Sequence, residues 1–101
     1  MPSIAQLEKL LSIDPEDPFV YYGIGQEHAK LDAHELAIEY FDKTLELDAH
    51  YCYAYYFKAI SLKELGRQVE AVKVAKYGHE IATSISDGKA RSELSSLIQS
   101  L

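Results

Sequence analysis

The sequence predicts an all-α protein of six helices. Helix-favouring Ala, Leu, Glu and Lys are frequent, and no segment keeps the alternation of apolar and polar residues that marks a strand. In addition, the chain repeats with a period of 34 residues, which is long enough for two helices and their turns. Together these observations predict stacked antiparallel helical hairpins.

The first two helices are marked by capping residues and prolines. Ser3 with Gln6 three residues later is a capping-box pattern, and it opens a helix of about residues 3–12 with an apolar face of Ile4, Leu7, Leu10 and Leu11. The segment 14–18 then breaks the chain. Asp17 can cap a second helix that begins at Pro18 and runs to about Leu31, because proline is tolerated in the first turn.

The third helix is expected to begin after Asp32, which can cap it with Glu35 three residues on. Helical spacing predicts its buried stripe, which consists of Leu36, Ala37, Tyr40, Phe41, Thr44, Leu45 and Leu47. On the opposite side, an acidic stripe of Glu35, Glu39, Asp42 and Glu46 is interpreted as a solvated surface, since a straight helix spreads carboxylates along its length.

Three further helices complete the chain. The fourth spans about residues 50–65 and ends before Gly66, where glycine suits the left-handed residue that follows a helix. The fifth spans about residues 68–83. After a polar break at 84–88, apolar residues recur at helical spacing with polar residues opposite, which predicts an amphipathic last helix built on Ala90, Leu94, Leu97, Ile98 and Leu101.

The repeat is visible residue by residue. A shift of 34 positions superposes Tyr21 on Tyr55, Tyr22 on Tyr56, Leu31 on Leu65, Ala37 on Ala71 and Glu46 on Glu80. One further step back aligns Leu7 with Phe41 and Leu11 with Leu45, so the first helix is the second half of an incomplete repeat. We therefore expect one domain over 1–101, composed of a half repeat at 3–15, full repeats at 18–50 and 52–84, and a capping helix at 88–101.

A 34-residue helical pair of this kind resembles the tetratricopeptide repeat. The residues that carry the resemblance are Tyr21, Ile24, Gly25, His28, Ala37 and Phe41 in the first repeat, and Tyr55, Lys58, Ala59, Leu62, Ala71 and Ala75 in the second. The sequence departs from the family pattern at His28, Ala49 and Thr83. It is also similar to small standalone prokaryotic proteins of this family that end in an extra helix. Small residues at Gly25 and Ala59 let paired helices approach closely.

Charge and composition narrow the possible partners. The net charge of −6 opposes binding to nucleic acid or anionic lipid. The longest apolar run, Tyr51 to Phe57, is too short to cross a membrane, and no basic segment followed by an apolar one opens the chain, so we expect a cytoplasmic protein. The single cysteine, Cys52, excludes an internal disulfide and is interpreted as a small buried hydrophobic residue.

No motif for catalysis, metal binding or a cofactor stands out. Gly23-Ile24-Gly25 lies within a helical pattern and does not follow a strand, as a phosphate-binding loop would. The four histidines have no pairing at i, i+4. We expect neither an enzyme nor a cofactor; a catalytic alternative would need a polar cleft near His28 or His79.

The resemblance implies a non-enzymatic module for protein–protein interaction that binds on its concave face, which the first helix of each pair lines. At the matching positions stand Phe19, Tyr22, Gly23, Gln26, Lys30, Tyr53, Tyr56, Phe57, Ile60 and Lys63. Tyrosine provides a large contact area at small entropic cost, so we expect this face to hold a peptide or helix of a protein partner. The lysine and asparagine clamp with which some members bind acidic chaperone tails is missing, and such tails are disfavoured.

Two alternatives remain open at this point. The aromatic face can serve a structural role instead, in which two copies form a homodimer through the same surface. Some of the tyrosines can also pack between neighbouring helices or under the end helices and leave no docking surface.

Overall fold

The computed structural model describes residues 2–101, and within this range it contains six helices and no strand. The all-α prediction is therefore confirmed. The helices are α1 Ile4–Ile13, α2 Pro18–Lys30, α3 His34–Leu47, α4 Cys52–Glu64, α5 Gln68–Ser84 and α6 Gly88–Ser100. None of the helices in the described part of the chain is long and apolar enough to span a bilayer.

Local hydrogen bonds begin several helices as expected. The Ser3 hydroxyl accepts from Gln6 N at 3.2 Å, and Ser3 N donates to Gln6 Oε1 at 2.9 Å, which is a complete capping box. At α2, Asp17 Oδ1 accepts from Phe19 N at 3.0 Å, and Pro18 occupies the first turn. These contacts lie within a few residues of one another, which is why the sequence reveals them.

The prediction that Asp32 caps α3 is wrong. Asp32 lies in the turn after α2 with φ 59°, and the cap position of α3 is Ala33, which has no side-chain capping hydrogen bond. Gly66, 34 residues later, has φ 77°. The two turns share a left-handed residue at the same place; glycine adopts it without steric cost, and aspartate is among the few other residues that tolerate it.

The helices stack in chain order, each pair packing on the next. The hairpin α2–α3 packs on α4–α5, α1 lies on α2, and α6 lies on α5 and α4. Ala37, Ala59 and Ala71 are fully buried, as the close-approach argument requires. One stripe residue departs from its expected place: Leu36 is 39% exposed, because no element of the described chain covers that side of α3.

An equivalent side-chain hydrogen bond occurs in each of the two repeats. Tyr21 donates its hydroxyl to the Pro15 carbonyl and Tyr55 donates to the Ala49 carbonyl, both at 2.8 Å and both over six residues. Each bond ties the first helix of a repeat to the turn that precedes it. The 34-residue similarity of sequence thus corresponds to a repeated set of contacts.

The last helix caps the stack. Ala90, Leu94 and Leu97 are buried against the preceding hairpin, whereas Arg91, Ser92, Ser96 and Gln99 are exposed. The exposed polar residues of α6 therefore give the C-terminal end of the stack a polar surface.

The acidic stripe of α3 is exposed as well.

Candidate protein-docking face

The first helices of the two repeats, α2 and α4, lie side by side, and α6 continues the row beyond α4. We call the surface formed by these helices the concave face. The ten predicted site residues lie on α2 and α4, five on each helix.

Aromatic rings form the centre of this face. The Tyr22 ring lies 4.9 Å from that of Tyr51 and 6.0 Å from that of Phe57, measured between centroids. These distances are typical of stabilising aromatic pairs. Burial, followed by the charges of Tyr51, Tyr53 and Glu93, raises the pKa of the Tyr22 hydroxyl well above its usual value of 10.0. The Tyr22 hydroxyl therefore stays protonated and neutral at physiological pH.

The capping helix covers part of the predicted aromatic surface. Tyr53 and Tyr56 pack against the cluster that contains Ala90 and Leu94 of α6. Tyr56 and Ile60 pack against a second cluster, which contains Leu97. Three of the predicted contact residues on α4 therefore also hold α6 in place.

An open pocket remains where the C-terminal halves of α2 and α4 meet. It has a volume of about 320 Å³, and we call it the concave pocket; it is lined by Gln26, Ala29, Lys30, Asp32, His34, Phe57, Ile60 and Glu64. Most of its wall is apolar, contributed by Ala29, Phe57 and Ile60. Polar groups stand around this wall, an arrangement that suits an apolar side chain flanked by hydrogen-bonding groups.

The predicted residues differ in accessibility. Phe19 is 64% exposed, and Lys30 and Lys63 are exposed, whereas the other seven are half-buried and none is fully buried. Lys30 Nζ forms an ion pair with Glu27 Oε2 at 2.8 Å. Gly23 lies over Leu7 of α1, and it lines a second, smaller groove together with Phe19.

Sequence reasoning missed several residues that the fold brings to this face. Asp32 reaches the concave pocket from the turn between α2 and α3, and His34 reaches it from the first residue of α3. His34 Nδ1 lies 3.1 Å from the buried Ser61 hydroxyl, which joins the two repeats at the pocket wall. Glu93 is half-buried on α6, although its helical position opposite the apolar stripe suits a solvated residue. The only sequence signal for this contact is the 34-residue repeat, which predicts that the two helical hairpins pack on each other.

Cys52 and His28, which were also considered as functional residues, pack against other parts of the fold. Cys52 is 5% exposed, and burial is the main cause that raises the pKa of its thiol. The His28 ring stacks on Tyr40 with centroids 5.3 Å apart. No group of three or more His, Cys, Asp or Glu within residues 2–101 is arranged to hold a metal ion.

A polar cavity does lie beside His79, where a catalytic alternative would require one. It is lined by Gly88, Arg91, Ser92, Ser95 and Ser96 in addition to His79. Within residues 2–101, the His79 ring makes no hydrogen bond to these serines.

Comparison with known proteins agrees with the repeat architecture. The sequence profile of the tetratricopeptide repeat matches residues 20–51. Superkiller protein 3 of Saccharomyces cerevisiae is 35% identical over 82 residues, which is 80% of this chain; the chain spans only 6% of that protein's length.

Solved structures give the same result over most of the chain. The crystal structure of a tetratricopeptide repeat domain protein from Salinibacter ruber is 31% identical, with a TM-score of 0.76 over 83% of this chain and 93% of that one. The TPR2B domain of yeast Sti1, in complex with pHsp70, shares the fold with a TM-score of 0.89 over 95% of this chain and 77% of that one, at 21% identity. The chain belongs to the tetratricopeptide repeat family.

Proposed function

We propose that this protein is a non-enzymatic adaptor that holds an apolar segment of a partner protein, a short peptide or one helix, on its concave face. The observation that carries this proposal is the concave pocket, a cavity of about 320 Å³ with an apolar wall that no side chain of residues 2–101 fills. Cavities of this size commonly serve as binding sites for large apolar groups.

The residues around the pocket have different roles in this proposal. Phe57 and Ile60 offer apolar surface, and Tyr22, held by Tyr51 and Phe57, extends it toward Phe19. Rigid rings lose little entropy when a ligand binds, so they make effective anchors. Gln26 and Lys30 stand beside them as polar groups that orient the partner's backbone. Tyr53, Tyr56 and Lys63 form the outer wall in this proposal, because α6 packs on the two tyrosines.

Charges at the pocket argue against an acidic chaperone tail as the ligand. Lys30, the cation that lines the pocket, is paired with Glu27, and the carboxylates of Asp32 and Glu64 line the same pocket. A tail rich in carboxylates would be repelled there. A partner segment with an apolar residue next to a lysine or arginine is complementary to this surface.

The test fills the pocket without removing a core contact. Ala29 is half-buried in the pocket wall, and position 63, its equivalent in the second repeat, is lysine, so Ala29→Lys places a residue that a helix of this array already tolerates. Ala5→Lys, at an exposed position of α1, is the matched control for charge and chain length. A peptide selected by phage display on the wild-type chain would be titrated into each protein by calorimetry.

We expect Ala29→Lys to weaken peptide binding by about tenfold or more, because the lysine occupies the pocket and the peptide can no longer bury roughly one apolar side chain there. Ala5→Lys should bind within about twofold of wild type. Equal affinity of Ala29→Lys and wild type would show that the pocket is not the site. Failure to select any peptide, together with a stable dimer in sedimentation that Ala29→Lys disrupts, would replace the proposal with the homodimer alternative.

A further inference from the structure

The fifth helix carries a histidine at a position where the equivalent helices carry leucine. His79 of α5 corresponds to Leu45 of α3 and to Leu11 of α1, at intervals of 34 residues. Leu11 is half-buried against an apolar cluster of α1 and α2. His79 is half-buried as well, but it lines the polar cavity between α5 and α6. A polar environment therefore replaces an apolar contact at this level of the stack.

This cavity, which we call the α5–α6 cavity, has a volume of about 370 Å³. The side chains that line it are an imidazole, a guanidinium and three hydroxyls, which belong to His79, Arg91, Ser92, Ser95 and Ser96. All of these groups can donate hydrogen bonds, and the guanidinium offers several N–H groups in a planar fork. The cavity is therefore suited to a ligand with several acceptor atoms.

The serine hydroxyls of the cavity are available to a ligand. Within residues 2–101, the hydroxyls of Ser84 and Ser100 each donate to the carbonyl three residues earlier, at 2.7 and 2.8 Å. The hydroxyls of Ser92, Ser95 and Ser96 form no such bond in this part of the chain, although they also lie in a helix. Their donors can point into the cavity without breaking a contact of the fold.

The carboxylates nearest in sequence lie outside the cavity. Asp87 Oδ1 accepts from Ala90 N at 3.1 Å at the start of α6. Glu93 acts on the Tyr53 hydroxyl, which belongs to the concave face. Glu80 is exposed on α5. Among residues 2–101, no Asp or Glu lines the α5–α6 cavity, so its wall has no group that repels an anion.

Positive charge lies at the cavity, in a chain whose net charge is −6. Arg91 is exposed on the cavity wall and forms no ion pair within residues 2–101, whereas Arg67 pairs with Glu70 Oε2 at 2.8 Å. Lys76 precedes His79 by three residues and therefore lies on the same side of α5. An anion is the ligand that these charges favour.

The number of donors indicates which anion fits. A carboxylate has two acceptor oxygens, whereas a phosphate monoester has three terminal oxygens and a charge of about −1.5 to −2 at neutral pH. Guanidinium groups bind phosphate oxygens in pairs. The volume of the cavity leaves space beside a phosphate group for part of the molecule that bears it. A long polyanion is disfavoured by the net charge of the chain.

We propose that the α5–α6 cavity binds the phosphate group of a phosphate monoester. Arg91 supplies the positive charge, and His79 with the three serine hydroxyls supplies further hydrogen bonds. The cavity shares no lining residue with the concave pocket. The site therefore goes beyond the proposed adaptor function and does not depend on it.

The test titrates O-phosphoserine into the whole 101-residue chain and follows the backbone amides by NMR. Sodium acetate at the same ionic strength is the comparison, because it supplies a carboxylate without a phosphate. We expect saturable shift changes centred on His79, Gly88, Arg91 and Ser92 at millimolar concentration. Acetate should bind about tenfold more weakly or worse.

Two matched variants separate a built site from general attraction to positive charge. Arg91→Gln should weaken O-phosphoserine binding by about tenfold or more, because the charged donor is lost. Lys89→Gln removes the same charge two residues away on α6, at an exposed position outside the cavity, and should stay within about twofold of wild type.

A third variant tests the histidine. His79→Leu introduces the residue that stands at this position in α1 and α3, so circular dichroism should show an unchanged helix content. It removes one donor and should weaken O-phosphoserine binding by about fivefold. Ala29→Lys, which blocks the concave pocket, should leave this binding unchanged.

The phosphate monoester can be a small molecule or a phosphorylated side chain of a protein. A pentapeptide with a central phosphoserine, compared with free O-phosphoserine, distinguishes these sources. Tighter binding of the peptide by about tenfold would support a phosphorylated protein, and equal affinity would support a small molecule. The unphosphorylated peptide should not bind.

Several outcomes would overturn the proposal. Equal affinity for acetate and O-phosphoserine would do so, as would equal losses in Arg91→Gln and Lys89→Gln. Shift changes centred away from α5 and α6, or no saturable change up to about 50 mM, would have the same meaning. If Arg91→Gln loses helix content, His79→Leu decides, and unchanged phosphate binding by that folded variant would exclude the site.

Discussion

The ring of Phe41 occupies the space that a side chain at Gly25 would need. A Cβ atom at Gly25 would lie 2.6 Å from Phe41 Cε1, and Phe41 is fully buried. The glycine is therefore required by packing between α2 and α3, which offsets its poor helix propensity.

We predict that Gly25→Ala destabilises the protein. Overpacking costs about 1–3 kcal/mol, and the fully buried ring cannot move aside, so this cost exceeds the gain in helix propensity of about 1 kcal/mol. Urea denaturation followed by circular dichroism would measure the free energy of unfolding. A stabilised Gly25→Ala variant would show that the ring can shift.

Gly23→Ala, two residues away on the same helix, should have the opposite effect. The added Cβ would lie 3.5 Å from the Leu7 methyl groups, which is ordinary contact. The gain in helix propensity should raise the free energy of unfolding by up to about 1 kcal/mol in the same urea assay. A loss of stability comparable to that of Gly25→Ala would contradict the assigned geometry.

The hydrogen bond from Tyr55 to the Ala49 carbonyl should contribute measurably to stability. Tyr55 is 8% exposed, so Tyr55→Phe leaves the carbonyl without its partner and should cost about 1 kcal/mol. Tyr21→Phe removes the equivalent bond at a more exposed site and should cost less. Thermal unfolding of the two variants in parallel would compare them; equal melting temperatures would show that burial does not govern the difference.

Stability should fall at alkaline pH. Burial is the largest cause that raises the pKa of Tyr22, Tyr51, Tyr53 and Tyr55 above 10.0 in the native state. Above about pH 10 the unfolded chain loses these protons while the native chain keeps them, so the free energy of unfolding decreases with rising pH. Urea midpoints from about pH 8 to about pH 11 would measure the slope.

The same titration has an internal control. Tyr22→Phe keeps the ring and removes one titrating group, so its slope above about pH 10 should be shallower than that of the wild type. An identical slope would show that Tyr22 ionises as freely in the native state as in the unfolded chain.

Cys52 should be unreactive in the folded protein. It is 5% exposed, and burial raises the pKa of its thiol, so little thiolate is available at neutral pH. Ellman's reagent should label it slowly in buffer and rapidly in denaturant. Rapid labelling without denaturant would mean that the end of the stack near α6 opens readily.

The concave face illustrates the limit of prediction from sequence. The spacing of Phe19, Tyr22 and Gln26 predicts that they share one side of α2, and all three line one groove of the structure. Whether a ring faces water depends on α6, which packs on Tyr53 and Tyr56 from more than thirty residues away. Similarly, no local pattern indicates that His34 reaches Ser61 across the boundary between repeats.

The sequence by itself determined the helices, the 34-residue repeat and the small residues where helices cross, because caps, periodicity and propensity act over a few neighbouring residues. Tertiary structure alone decided that Leu36 and Leu10 are exposed, that Asp32 takes a left-handed turn conformation, and that a pocket opens between α2 and α4. These features depend on which distant segment packs against each surface, and the contacts between distant segments exist only once the whole chain has folded.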